Sequence, residues 1–206
     1  MGFRLLWRDI WVHRRYWIAA TMVFAFGIYM GAAHDGMFQR YVTDQMRFLQ
    51  EFSRVAGSFG GSSWALFLII FFNNAIKSLL VVGLGAGFAL YPLFFLVANG
   101  IMIGYLVSNP AAGMSPAEVA AALLPHGIIE IPAVLLAAGY GIRLGWISGR
   151  AILLLPIEAA RKRAAEEFRA FFAVVPALVV IVIVALLTAA AVESTLTLWL
   201  VRGMGQ

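Results

Sequence analysis

The stretch FFAVVPALVVIVIVALLTAAAV, residues 171–192, runs for 22 residues without a charged side chain. Wound as an α-helix at about 1.5 Å per residue, it is about 33 Å long, which matches the roughly 30 Å hydrocarbon thickness of a bilayer. Four further stretches have the same character: 16–33, 64–82, 88–107 and 120–142. Composition agrees. Of 206 residues, 63% are hydrophobic and 12% charged, with a mean hydropathy of +0.91; a soluble domain has roughly 45–50% apolar and about 25% charged residues. One core in water cannot hide that much apolar surface. The lipid bilayer is the solvent, and the fold class is an all-α polytopic membrane helical bundle of about five transmembrane helices, a single membrane domain over 1–206.

Basic residues set the expected orientation. Arg4, Arg8, Arg14 and Arg15 precede the first span, and Arg143, Arg150, Arg161, Lys162, Arg163 and Arg169 lie in 143–169. Between spans one and two, Arg40, Arg47 and Arg54 are balanced by Asp35, Asp44 and Glu51. The positive-inside rule therefore puts the basic segment 1–15 and the helical segment 147–170 in the cytoplasm, and the C-terminus outside. The first apolar run is about 18 residues, longer than the roughly 7–15 of a cleaved signal peptide, so it reads as an uncleaved signal anchor. Gly83 to Gly87 is too short to separate its neighbours, so spans two and three are expected to form a tight antiparallel hairpin. The chain has no cysteine, which excludes disulfides and thiolate chemistry.

Outside the spans, 35–60 reads as an amphipathic helix. Phe38, Tyr41, Gln45, Phe48, Phe52, Val55 and Phe59 alternate at 3–4 spacing, as a heptad seam does. Charges of both signs occupy the opposite face. Such a helix either lies flat on the outer membrane surface or docks its aromatic seam on a partner.

Polar residues inside the spans need partners, because an unpaired polar group in hydrocarbon costs several kcal/mol. Asn73 and Lys77 share one face of the second span and Asn74 lies about 100° away. The asparagines serve as packing glue or line a functional surface, and Lys77 has the reach to snorkel to the interface. Asn99 adjoins Gly100-x-x-x-Gly104, a close-packing pattern, and is placed to bond the second-span asparagines. Pro125-His126-Gly127-Ile128-Ile129-Glu130-Ile131-Pro132 reads as a helix break: Pro125 suits a start, Gly127 weakens, and Pro132 removes a donor. Residues 117–124 would then be a short, re-entrant helix. His126 and Glu130 follow at i,i+4 on one face, as an ion pair, a neutral hydrogen-bonded pair, a cation site, or a lock on the broken helix. Gly141-x-x-x-Gly145 is a second packing pattern, with Gly139 nearby and Arg143 as an interface anchor.

The run Phe71-Phe72-Asn73-Asn74, glycines Gly83, Gly85 and Gly87, Asn99-Gly100 with Gly104, the Pro125-His126-Gly127-x-x-Glu130 core within 124–133, and Gly141-Ile142-Arg143-Leu144-Gly145 together resemble the stage II sporulation protein M family over about 71–146. In spore formers that resemblance implies a membrane scaffold for a peptidoglycan-degrading complex. Members also occur in organisms without spores, so it implies no sporulation role here. The expectation is a non-enzymatic protein: a homo-oligomer scaffolding a membrane or cell-envelope complex, with the aromatic seam as its docking surface. The alternative is a small transporter or channel whose proton or cation path is lined by Asn73, Asn99, His126 and Glu130. No catalytic motif, cofactor, metal site or nucleic-acid partner is expected. Glu130 as the base of an intramembrane hydrolase would lack both nucleophile and metal ligands.

Overall fold

In the computed structural model, residues 2–33, 36–44, 47, 63–109 and 116–203 are described, the side chains of 63, 65–66, 116–126, 193 and 195–203 excepted. The described residues are helical apart from short turns, and none of them forms a strand. Helices α1 (Gly2–Val12), α2 (Arg14–Ala33) and α3 (Ser63–Gly83) precede a 3₁₀ turn at Leu84–Ala86; α4 (Leu90–Ser108), α5 (Pro116–Leu153) and α6 (Glu158–Gly203) follow. Five stretches are long and apolar enough to cross a membrane: Arg14–Ala33, Phe67–Ala86, Leu90–Ser108, Gly127–Leu153 and Glu158–Val192.

The fourth span is the hub. Half of its membrane window is buried, against a third or less in the others, so it is the one neighbours surround. Ala133, Ala137, Tyr140 and Leu144 form one core with Leu6 of α1, Ala75 of α3, and Phe171, Leu178 and Leu186 of α6. Ala138 joins a second core with Ala20 and Phe24 of α2, Val81 of α3 and Leu96 of α4. Small residues on α5 let both cores close on it. Among hydrocarbon chains, this van der Waals fit replaces the hydrophobic drive that water would supply.

Glycines set the closest approaches. Gly27 of α2 lies against Val97 and Gly100 of α4, and Gly31 against Ile101; a Cβ on Gly100 would come within 2.9 Å of the Gly27 Cα, and one on Gly104 would strike the Ile28 carbonyl. On α5, Gly141 abuts the backbone at Val81, Gly145 abuts Ala89, and Gly139 sits on Trp17. The two glycine pairs expected to allow close packing do so, each against a partner that spacing alone does not identify.

Two expectations need correction. Spans two and three do not form a tight hairpin: α3 and α4 make little contact, while α2 packs extensively on α4. The turn seats Gly85 against Gly141 of α5, which wedges the fourth span between them. Phe88 (φ 56°) and Ala89 (φ 62°) turn the chain in the left-handed region, at about 1–2 kcal/mol each for residues with a Cβ. The fourth helix is also not broken, and 117–124 is no separate re-entrant helix. It runs as one helix of 38 residues from Pro116 to Leu153 through Pro125, Gly127 and Pro132. Pro132 lies on an exposed face and takes away one ladder bond, which a helix supported by neighbours on its other faces absorbs. Pro176 is accommodated in α6 in the same way.

The elements outside the spans also sharpen. Segment 1–15 contains a helix, α1, whose Leu6 is fully buried and packs in one core with Leu178 of α6. Segment 158–169 is continuous with the last span, joined to α5 through an elbow at 154–157. Of the expected outer helix, 36–44 is helical, with Val42 buried and Phe38 and Tyr41 half-buried; burial pushes the Tyr41 phenol above its ordinary range. Phe48, Phe52, Val55 and Phe59 lie outside the described residues.

Candidate functional site: an intramembrane polar face and a buried ionic latch

The polar residues of α3 stand near the middle of its span. Asn73 donates from Nδ2 to Oδ1 of Asn74 at 3.1 Å, and both are half-buried. Lys77, one turn on, is exposed on the surface of the single chain, flanked by the exposed apolar side chains Phe72, Ile76 and Leu80. From α5, the half-buried Glu130 acts on Lys77 electrostatically. Lys77 therefore lies within electrostatic reach of a carboxylate across the α3–α5 contact, a relation that its i,i+4 spacing from Asn73 does not suggest. Ser78, beside it, is buried, and its hydroxyl has no hydrogen-bond partner among the described residues.

The other intramembrane candidates do not converge as expected. Asn99 donates from Nδ2 to the Phe95 carbonyl of its own helix at 2.7 Å, not to the asparagines of α3. The side-chain amide thus caps its own turn. Gly127 is buried, with Ile131 3.5 Å from where its Cβ would be. The side chains of Pro125 and His126 lie outside the described residues, so the expected His126–Glu130 pair does too.

A second polar cluster was not among the sequence candidates. Asp9 of α1 accepts from the Tyr140 hydroxyl at 2.6 Å and from Arg143 Nη1 at 2.5 Å, both on Oδ2. His13 Nδ1 is 3.1 Å from the other carboxylate oxygen and 3.1 Å from the Asp9 carbonyl. Arg143 is 4% exposed, and its guanidinium lies 5.8 Å from the Tyr140 ring centre and 5.5 Å from that of Phe171. It is a buried ion, not the interface anchor expected. A small cavity of about 10 Å³, room for one water, adjoins the cluster between Ile10, His13, Trp17 and Tyr140. One signal was present in the sequence: Asp9 is the sole acid before Asp35, in a segment otherwise basic. What spacing does not convey is that α1 folds back along α6 and carries Asp9 to α5.

Both clusters are built for holding charge in place. Among the described residues, no group of three or more His, Asp or Glu side chains converges as a metal site would require. A family model described as Stage II sporulation protein M matches residues 18–198, well beyond the 71–146 in which the resemblance lay. No curated protein and no solved structure matches the chain.

Proposed function

We propose that this chain, which belongs to the stage II sporulation protein M family, is a non-enzymatic scaffold that assembles as a homo-oligomer through the polar face of α3 and supports a membrane or cell-envelope complex. The observation that carries this reading is Lys77, exposed on the single chain in mid-span. A lysine facing hydrocarbon at that depth costs about 2.5–3.5 kcal/mol on insertion scales. The Glu130 charge offsets part of that cost within the chain; a second copy laid over Asn73, Asn74 and Lys77 removes more of it, because it shields the ammonium and the amides from lipid and gives the Phe72, Ile76 and Leu80 side chains apolar contact. By the positive-inside rule, the end of the bundle bearing α1 and the α5–α6 elbow faces the cytoplasm, leaving 36–44 on the outer side for envelope partners.

The absence of cysteine makes a direct test available. Single cysteines at Phe72, Ile76, Leu80 and, as controls, Met22 and Phe94 are placed in membranes and oxidised. All five positions are exposed on the single chain. Disulfide-linked dimers are expected at one or more α3 positions, at least about fivefold above the controls, a difference of about 1 kcal/mol in pairing. Equal crosslinking everywhere, or none on α3, contradicts the assignment of this face.

The electrostatic coupling of Lys77 to Glu130 also supports a second reading, in which the pair belongs to a proton or cation path. Purified protein in liposomes would then show a pH- or cation-driven flux that Glu130→Gln abolishes; no flux from the intact oligomer excludes it.

A further inference from the structure

At the basic end of the bundle, two cavities adjoin. The larger, about 470 Å³, is an apolar groove among Tyr16, Phe88, Ile142, Trp146, Gly149 and Leu153. The smaller, about 230 Å³, lies in the α5–α6 elbow and includes Arg163. Arg150 and Leu154 line both. The groove is made by choices that packing alone does not demand. Phe88 sits in the left-handed region at φ 56° and still exposes half of its ring surface. Gly149 leaves the room that ring needs, since a Cβ there would come within 3.2 Å of it. Trp146 and Leu153 are also largely exposed.

Depth and charge together identify the occupant. Tyr16 lies at the start of the first span, Phe88 just before the third, and Gly149 and Arg150 in the last turns of the fourth, so the groove lies at the membrane boundary, where head groups are. Its walls suit an acyl chain. At the junction of the cavities stands Arg150, paired on one side with Glu167. A guanidinium has five donors in a planar fork, so one carboxylate leaves donors over for a phosphate. Arg163 supplies a second positive charge. A neutral apolar ligand would leave Arg163 and the remaining donors of Arg150 without a use.

We propose that this groove is a binding site for an anionic phospholipid, with an acyl chain along Phe88, Trp146 and Leu153 and the phosphate held by Arg150 and Arg163. The ligand class follows from an apolar trough that adjoins a cavity lined by two arginines at head-group depth. The site is separate from the α3 face, so it holds whether or not the chain oligomerises.

Delipidated full-length protein in detergent, titrated with phosphatidylglycerol or phosphatidylcholine and read by native mass spectrometry, tests the site. The intact protein is expected to retain phosphatidylglycerol about tenfold more strongly, as two basic contacts allow. The double variant R150Q/R163Q is expected to lose that preference, and Gly149→Leu, which fills the groove from its floor, to weaken retention of both lipids. R4Q/R8Q, on the exposed side of α1, is expected to change neither. Equal retention of the two lipids by the intact protein overturns the proposal. So does a preference that survives R150Q/R163Q, or one that R4Q/R8Q removes instead.

Discussion

Gly104→Leu is expected to prevent the bundle from folding, with little or no monodisperse protein recovered from membranes. A Cβ at this position strikes the carbonyl of Ile28, and the nitrogen of Ala32 lies 3.0 Å away. Those are backbone atoms of α2, so no side chain can swing aside. Relief requires α2 and α4 to separate, and theirs is the most extensive helix contact in the fold. Overpacking in a filled core costs about 1–3 kcal/mol when neighbours can adjust; against rigid backbone the cost is at least about 3 kcal/mol. Gly83→Ala is the control, because a Cβ there meets nothing within 4 Å. Thermal unfolding in detergent, read by loss of the monodisperse chromatographic peak, should place Gly83→Ala within a few degrees of the parent. Gly104→Leu should fall far below it or fail to appear.

The second large effect concerns the latch between α1 and the fourth span. Arg143→Met removes a guanidinium that is almost wholly buried against Asp9, Tyr140 and Phe171. The Asp9 carboxylate, itself 11% exposed, then keeps only the Tyr140 hydroxyl and His13. Breaking one side of a buried pair costs about 3–5 kcal/mol, most of it the charge left behind. Asp9→Asn with Arg143→Met leaves no orphaned ion, so the double variant is expected to be more stable than Arg143→Met alone. A double-mutant cycle of thermal stabilities checks this. Additive losses would mean that the two side chains do not act as a pair. Because the latch ties α1 to the fourth span and its loss leaves α1 held mainly by Leu6 in the core, Arg143→Met should also make α1 more open to proteolysis while the spans stay protected.

What could be read from the sequence depends on the range over which each feature acts. The spans are local: 22 uncharged residues at 171–192 make a membrane helix whatever surrounds them, and all five appear in the fold. The glycine patterns are local as patterns but not in their partners. Gly100 and Gly104 announce a close approach, yet only the fold supplies Gly27 and Gly31 as the other half. The short Gly83–Gly87 link misled because shortness limits distance between helix ends, not between helix bodies; left-handed Phe88 and Ala89 splay the pair. Pro125, Gly127 and Pro132 misled for a related reason. Each weakens an isolated helix, and α5 is not isolated.

The polar site divides along the same line. Asn73, Asn74, Lys77 and Glu130 stand out because charge and amide groups are expensive among apolar neighbours. Their mutual arrangement does not, since the Glu130 charge comes within reach of Lys77 only when α3 packs on α5. Asp9 carries only a faint sequence signal, as the one acid of a basic segment that reads as solvated. Its partners lie 131 and 134 residues away, and no periodicity spans that gap.

Counting chains in a bilayer decides whether α3 carries its polar face into a contact with a second copy. The protein, labelled once on each chain, is reconstituted at rising dilution in liposomes and its photobleaching steps are counted. Two or more steps per assembly are expected at dilutions where chance co-occupancy gives one, with Lys77→Leu combined with Asn73→Leu shifting the distribution toward single steps. Single steps from the parent protein across the dilution series, with the fold intact, would contradict that contact.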